Sequence, residues 1–190
     1  PEEAMRVYTR ECSVGVSAKD LGMMGATLAN GGVNPLTGKQ VMPAKHVPEL
    51  LAIMATAGFY DESGDWMFTA GLPAKTGVGG GIVAVVPGRF AIAAFSPRLN
   101  EAGNSVRSLN AIRDIAGELG VGEFQQTAHE REQSKPSVGV PPGFGDGVGI
   151  ERFQQPRDVA IVAPRQRLFV AEPRVDLAQR QRLREVVDGA

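Results

Sequence analysis

The chain has 190 residues, with 20 Lys+Arg against 21 Asp+Glu and a formal net charge of -1. That length holds one ordinary domain, or one domain and a tail, and so even a charge balance argues against nucleic acid as the main partner. The single cysteine, Cys12, excludes an internal disulfide framework and fits a reducing, cytoplasmic setting. No apolar run approaches the ~20 residues of a transmembrane helix and no basic-then-apolar leader opens the chain, so neither a membrane partner nor a signal peptide is expected.

Ser17-Ala18-Lys19-Asp20 is a capping box in its Asp form, placed just before an apolar run. It predicts a helix through Leu21, Met24 and Leu28 that stops at Asn30-Gly31-Gly32. Asn34-Pro35-Leu36-Thr37-Gly38 reads as a turn. A second helix is predicted from Pro43 to Ala57, with Leu50, Leu51, Ile53 and Met54 on its buried side and Gly58 ending it. Ile82–Val86 and Phe90–Phe95 read as two strands joined at Pro87-Gly88-Arg89, a hairpin signal. Their continuous apolar character suits strands covered on both faces. A last helix is predicted after Asn104 as N-cap, with Val106, Leu109, Ile112, Ile115 and Leu119 at helical spacing. Helix, helix, hairpin, helix is an α+β arrangement, helices packed on an antiparallel sheet.

The composition shifts near residue 125. Residues 125–190 hold nine of the arginines and one of the five lysines, and eight of the fourteen residues from Pro136 to Gly149 are Pro or Gly. A stretch of that kind sustains neither a helix nor a central strand. The expected organisation is therefore a domain over 1–124, a Pro/Gly-rich linker over 125–155 and a poorly ordered tail over 156–190. Within that tail Val159-Ala160-Ile161-Val162 could form a strand and Leu177–Val187 a helix.

The strongest chemical feature is Lys75-Thr76-Gly77-Val78-Gly79-Gly80-Gly81, running straight into the strand at Ile82. Glycine clusters often mark only a close approach of another backbone. Lys-Thr-Gly opening a strand is also the third signature of serine β-lactamases and penicillin-binding proteins, where the strand edge lines the site and a backbone N–H meets the developing oxyanion. A phosphate loop is a poor fit, because the lysine precedes the glycines and the run leads into a strand, not a helix N-terminus. Two tyrosines occur, Tyr8 and Tyr60. Tyr60 is either a half-buried tyrosine with a local hydrogen bond or a phenol acting in proton transfer. Asp61 and Glu62 read as solvated turn residues, and Cys12 as a buried small hydrophobe. One cysteine and two distant histidines, His46 and His129, leave no metal-ligand spacing, so no metal or other cofactor is expected. The Lys-Thr-Gly class draws its nucleophile from Ser-x-x-Lys. Three residues before Lys19, Lys39, Lys45, Lys75 and Lys135 stand Val16, Leu36, Met42, Leu72 and Glu132, and none is serine.

Several blocks taken together resemble the glutaminase family of the serine β-lactamase-like superfamily. They are Tyr8-Thr9-Arg10-Glu11-Cys12-Ser13-Val14, Ala26-Thr27-Leu28-Ala29-Asn30-Gly31-Gly32, Asn34-Pro35-Leu36-Thr37-Gly38, Gly58-Phe59-Tyr60-Asp61, Gly71 through Gly81, and Ser96-Pro97 with Gly103-Asn104-Ser105-Val106. They keep the family's order over residues 5–119, so the chain resembles the C-terminal portion of a bacterial glutaminase. The resemblance implies a β-lactamase/transpeptidase-like fold and hydrolysis of L-glutamine to L-glutamate and ammonia through a serine acyl-enzyme. By the same resemblance Tyr8 contacts substrate, Tyr60 lies beside the serine and helps move the proton, and the Val78 backbone N–H contributes to the oxyanion hole. Lys75 is expected to be structural. The serine and its lysine fall outside this chain, so the chain alone is expected to be inactive. Another β-lactamase-like serine hydrolase, or a non-catalytic fragment that pairs with other subunits, are the alternatives. L-glutamine and further copies of the chain, a homotetramer by resemblance, are the implied partners.

Overall fold

The computed structural model describes residues 1–124, 158–162 and 169–171. The expected linker over 125–155 and the helix at Leu177–Val187 lie outside them. In chain order the elements are helices α1 (Glu2–Cys12), α2 (Ala18–Ala29), α3 (Val47–Ala57) and α4 (Ser63–Ala70), strands β1 (Ala74–Thr76), β2 (Gly81–Val86) and β3 (Phe90–Phe95), helix α5 (Val106–Leu119), and strands β4 (Asp158–Val162) and β5 (Phe169–Ala171). The strands form one antiparallel sheet in the order β1-β2-β3-β4-β5. This is the α+β arrangement expected, with helices on both faces of the sheet.

Local chemistry sets most of the boundaries. Ser17 accepts from the Asp20 N–H and Asp20 accepts from the Ser17 N–H at 2.8 Å, so the capping box starts α2 as predicted. Asn34 Oδ1 accepts from the Leu36 and Thr37 N–H groups, which makes Asn34–Gly38 the expected turn. Gly58 ends α3. β2 and β3 pair from Gly81 with Phe95 to Val86 with Phe90, across the hairpin at Pro87-Gly88-Arg89. The N-cap of α5 is Ser105, one residue later than the expected Asn104, because it is the Ser105 hydroxyl that reaches the Ser108 N–H.

Alternation along the strands divides the core into two layers. Ile82, Ala84, Val86, Phe90, Ile92 and Ala94 pack with Phe59 and Trp66, and with Ile112 and Ala116 of α5. On the opposite face Val85 packs with Ala29 of α2 and with Val47, Leu51 and Met54 of α3, while Ala91 packs with Ala26. One sequence-based expectation about a helix face changes here. Ile53 points to solvent, and the buried stripe of α3 is Val47, Leu51 and Met54, with Leu50 partly buried beside it. Met24 is also exposed, since α2 lays its small residues on the sheet: Ala18, Gly22, Gly25, Ala26 and Ala29. The small face lets the helix backbone approach the sheet closely. A Cβ on Gly25 would stand 2.6 Å from Val83 Cγ2 and 2.7 Å from Ala91 Cβ.

β4 lies in the segment expected to be a poorly ordered tail, and it takes up the strand alternative at Val159–Val162. It pairs with β3 from Ala91 opposite Val162 to Phe95 opposite Asp158. Its alternation matches the sheet. Ile161 joins the α5-side core, and Val162 joins the α2-side cluster with Ala26 and Ala91. α1 was not anticipated; none of its residues is buried. Cys12, expected to be buried, is exposed at its end, because α1 has no buried face to hold it.

Two outcomes test this packing by chemical denaturation. Gly25→Ala should destabilise the chain by about 2 kcal/mol through overpacking, whereas Gly15→Ala, with open space around it, should stay within about 0.5 kcal/mol. Ile161→Ala should cost about 3 kcal/mol if β4 completes the core as described; a loss under about 0.5 kcal/mol would show that 158–162 is not part of the folded unit.

Candidate active site

Three segments meet at the start of β2. The first is the 3-10 turn Tyr60–Glu62 between α3 and α4, the second is the turn from Gly77 to Gly80, and the third is the loop from Ser96 to Ser105. Backbone contact joins the first two. The Thr76 N–H donates to Gly58 O at 3.1 Å, and a Cβ on Gly58 would collide with Ala74 O, so only glycine allows the end of α3 to lie on β1. The third segment is tied to the second, with Ser96 N–H donating to Gly80 O at 3.1 Å and the Ser108 hydroxyl to the same carbonyl at 3.3 Å.

The turn bearing Tyr60 is anchored from below. The Phe59 ring stacks on Trp66 at 4.2 Å between centroids, and the Trp66 indole N–H donates to Leu72 O at 2.7 Å. Above this anchor Tyr60 adopts φ +55°, a left-handed backbone rarely taken by a bulky side chain, which costs about 1–3 kcal/mol. Ser63 holds that geometry. Its hydroxyl accepts from the Phe59 N–H at 3.0 Å and donates to Tyr60 O at 2.8 Å.

Tyr60 is 45% exposed. Lys75 Nζ stands over its ring, 4.9 Å from the centroid, and also donates to Thr76 O. Partial burial pushes the Lys75 ammonium below the ordinary lysine pKa. Gly103, at φ +90°, lies between Tyr60 and Val78: a Cβ there would be 3.6 Å from Tyr60 Cε2 and 3.8 Å from Val78 Cγ1. Tyr60 and Val78 are thus brought to one place across a glycine floor. In the same turn Gly77 N–H donates to Gly81 O and Gly80 N–H to Gly77 O, while the Val78 N–H makes no hydrogen bond among the described residues.

Tyr8 is different. It sits on α1 and is 62% exposed, and its hydroxyl meets the Cys12 thiol one turn on, which raises the phenol above its ordinary pKa. The structure does not bury it against Tyr60 and Val78. Glu62, read from sequence as a solvated turn residue, is half-buried because its carboxylate accepts from Asn100 Nδ2 at 2.9 Å and Asn104 Nδ2 at 2.6 Å. Those partners are 38 and 42 residues away, so no local pattern points to them. No group of three or more His, Cys, Asp or Glu among the described residues could hold a metal ion, and no described helix is long and apolar enough to cross a membrane. The arrangement offers a phenol, a cation and an unpaired backbone donor on one surface. Among the described residues it contains no serine in Ser-x-x-Lys spacing.

Residues 1–124 match the family model "Glutaminase". Among curated relatives, glutaminase of Mycobacterium marinum is 57% identical over 132 residues, covering 70% of this chain and 41% of the relative. Glutaminase of Bacteroides thetaiotaomicron is 52% identical over 124 residues, covering 65% and 39%. The chain therefore spans about two fifths of the length of these relatives. Among solved structures, the probable glutaminase ybaS superposes with a TM-score of 0.63 at 54% identity over 65% of this chain and 40% of the other. The Bacillus subtilis glutaminase YbgJ, in a covalent complex with 5-oxo-L-norleucine formed by reaction with 6-diazo-5-oxo-L-norleucine, superposes with a TM-score of 0.62 at 32% identity over 65% and 44%. The shared fold is the β-lactamase-like one.

The bracing of Tyr60 has a measurable consequence. Ser63→Ala removes the acceptor of the buried Phe59 N–H and should cost about 2 kcal/mol in denaturant unfolding, whereas Ser63→Thr, which keeps the hydroxyl, should recover most of it.

Proposed function

Because this chain belongs to the glutaminase family, we propose that its described residues form one wall of a site that hydrolyses the side-chain amide of L-glutamine to L-glutamate and ammonia. The observation that carries the reading is that the Tyr60 ring and the Val78 side chain both border Gly103, in a turn where the Val78 N–H makes no hydrogen bond among the described residues. A serine supplied by the rest of the family fold attacks the amide carbon. The carbonyl oxygen becomes an oxyanion, and the Val78 N–H donates to it; a donor of this kind is worth about 3 kcal/mol of barrier. The Tyr60 phenol relays the proton of the attacking hydroxyl to the leaving nitrogen, so that ammonia departs and an acyl-enzyme remains. Water then attacks the acyl carbon by the reverse proton path and releases glutamate.

The covalent complex of the Bacillus subtilis relative supports a covalent route, since 5-oxo-L-norleucine carries a methyl ketone where glutamine has its carboxamide. Lys75 serves as a structural cation beneath the phenol ring. Tyr8 contributes to holding substrate, which requires the part of the family fold that this chain does not span to bring substrate to α1. Further copies of the chain are the proposed protein partner, and the cytoplasm the proposed setting.

Two measurements test the reading. The 190-residue chain alone should release no ammonia from glutamine in a coupled glutamate assay; turnover above ~1 s⁻¹, the low end of ordinary enzyme rates, would overturn the assignment of the nucleophile to another segment. The unmatched remainder of the Mycobacterium marinum glutaminase, placed ahead of this chain, should restore activity. In that joined protein Tyr60→Phe should lower kcat at least 100-fold, within the usual ~10²–10⁴ range for general acid–base groups, with little change in KM, while Tyr8→Phe should act mainly on KM. A kcat within about twofold after Tyr60→Phe would leave Tyr60 a packed tyrosine only.

A further inference from the structure

Behind Tyr60 lies a polar cluster that the helices around it do not use. Glu62 Oε1 accepts from Asn100 Nδ2 at 2.9 Å, and Glu62 Oε2 accepts from both Asn100 Nδ2 at 2.9 Å and Asn104 Nδ2 at 2.6 Å. Asn104 is fully buried, and its Nδ2 also lies 3.4 Å from Phe59 O. Both neighbours are acceptors, so the amide has one tenable orientation, and it leaves Asn104 Oδ1 buried without a partner among the described residues. An orphaned buried acceptor is costly, yet Asn104 does not repay that cost by capping α5, whose N-cap is Ser105.

What Asn104 does reach is the segment on both sides of Tyr60: the carbonyl of Phe59 before it and the carboxylate of Glu62 after it. Asn100 Oδ1 in turn accepts the Asn104 N–H at 2.8 Å, which stiffens the loop supplying both amides. The same loop carries Gly103, against which the Tyr60 ring rests. One short loop therefore grips the backbone that bears Tyr60 and bounds the ring from the other side.

We propose that Glu62, Asn100 and Asn104 are positioning residues for Tyr60: the two amides clamp residues 59–62 and so hold the left-handed backbone of Tyr60, at φ +55°, that sets its ring against Gly103 beside Val78. The assignment deepens the glutaminase reading and rests on it for its catalytic meaning, but the geometric half is testable without turnover.

The chain contains two tyrosines, so uniform labelling with 3-fluorotyrosine gives two ¹⁹F resonances, which Tyr60→Phe assigns. In the 190-residue chain, Glu62→Gln and Asn104→Ala should each move the Tyr60 resonance toward that of exposed Tyr8 and leave the Tyr8 line in place, with cooperative unfolding retained. An unmoved Tyr60 line in folded Glu62→Gln overturns the proposal, and that variant decides the matter alone should Asn104→Ala fail to fold. In the protein joined to the Mycobacterium marinum segment, Glu62→Gln should lower kcat about tenfold with KM within twofold. A moved line with unchanged kcat keeps the clamp and removes Tyr60 from the chemistry, which separates failure of the catalytic reading from failure of this one.

Discussion

Five of the six residues of β3 are buried, and a strand with no solvent face must be covered by helices above and below and flanked by a strand on each side. That constraint places the other elements. α5 and α4 close one face around Ile92 and Phe90, and α2 with α3 closes the other around Ala91 and Val85. β2 supplies one flank through the hairpin, and β4 supplies the other from more than sixty residues further on. Burial on both faces also explains why α2 presents glycine and alanine. A helix lying over a strand of alanines can come close enough to exclude water only if its own side chains are small.

The rigid sheet is what makes a strained site tenable. Tyr60 holds a left-handed backbone because Gly58 docks on β1, Phe59 stacks on Trp66, and Ser63 satisfies the polar groups on both sides. Each of these contacts is a core or backbone interaction, and together they offset a conformation the tyrosine alone would not adopt. The Gly77–Gly80 turn joins β1 to β2 and is closed by the Gly77 N–H on Gly81 O and the Gly80 N–H on Gly77 O.

β4 gives the region beyond the family match a structural role. Residues 1–124 account for the match, yet the β3 edge they leave is paired by 158–162, with Ile161 and Val162 entering the two core layers. Exposed strand edges invite pairing with other chains, and here the edge is occupied within the chain itself. α1, in contrast, buries nothing.

The sequence by itself determined what depends on neighbours within about four residues. The Ser17–Asp20 box, the Asn34–Gly38 turn, Gly58 as a stop and the hairpin at Pro87-Gly88-Arg89 were all legible, since capping and turn chemistry is written in adjacent residues. The blocks around Tyr60 and Val78 were also legible, and they carried the family. Tertiary structure alone decided which faces were buried and what Glu62 does. Large apolar residues at helical spacing pointed to Ile53, but the docking of α3 turned Val47 inward instead, and close packing against the sheet favoured the small stripe of α2. Glu62 looked solvated because nothing beside it in the chain can neutralise or bond it. Its partners, Asn100 and Asn104, arrive only when the loop before α5 folds back over the end of α3, and the chain between them carries no local signal of that meeting.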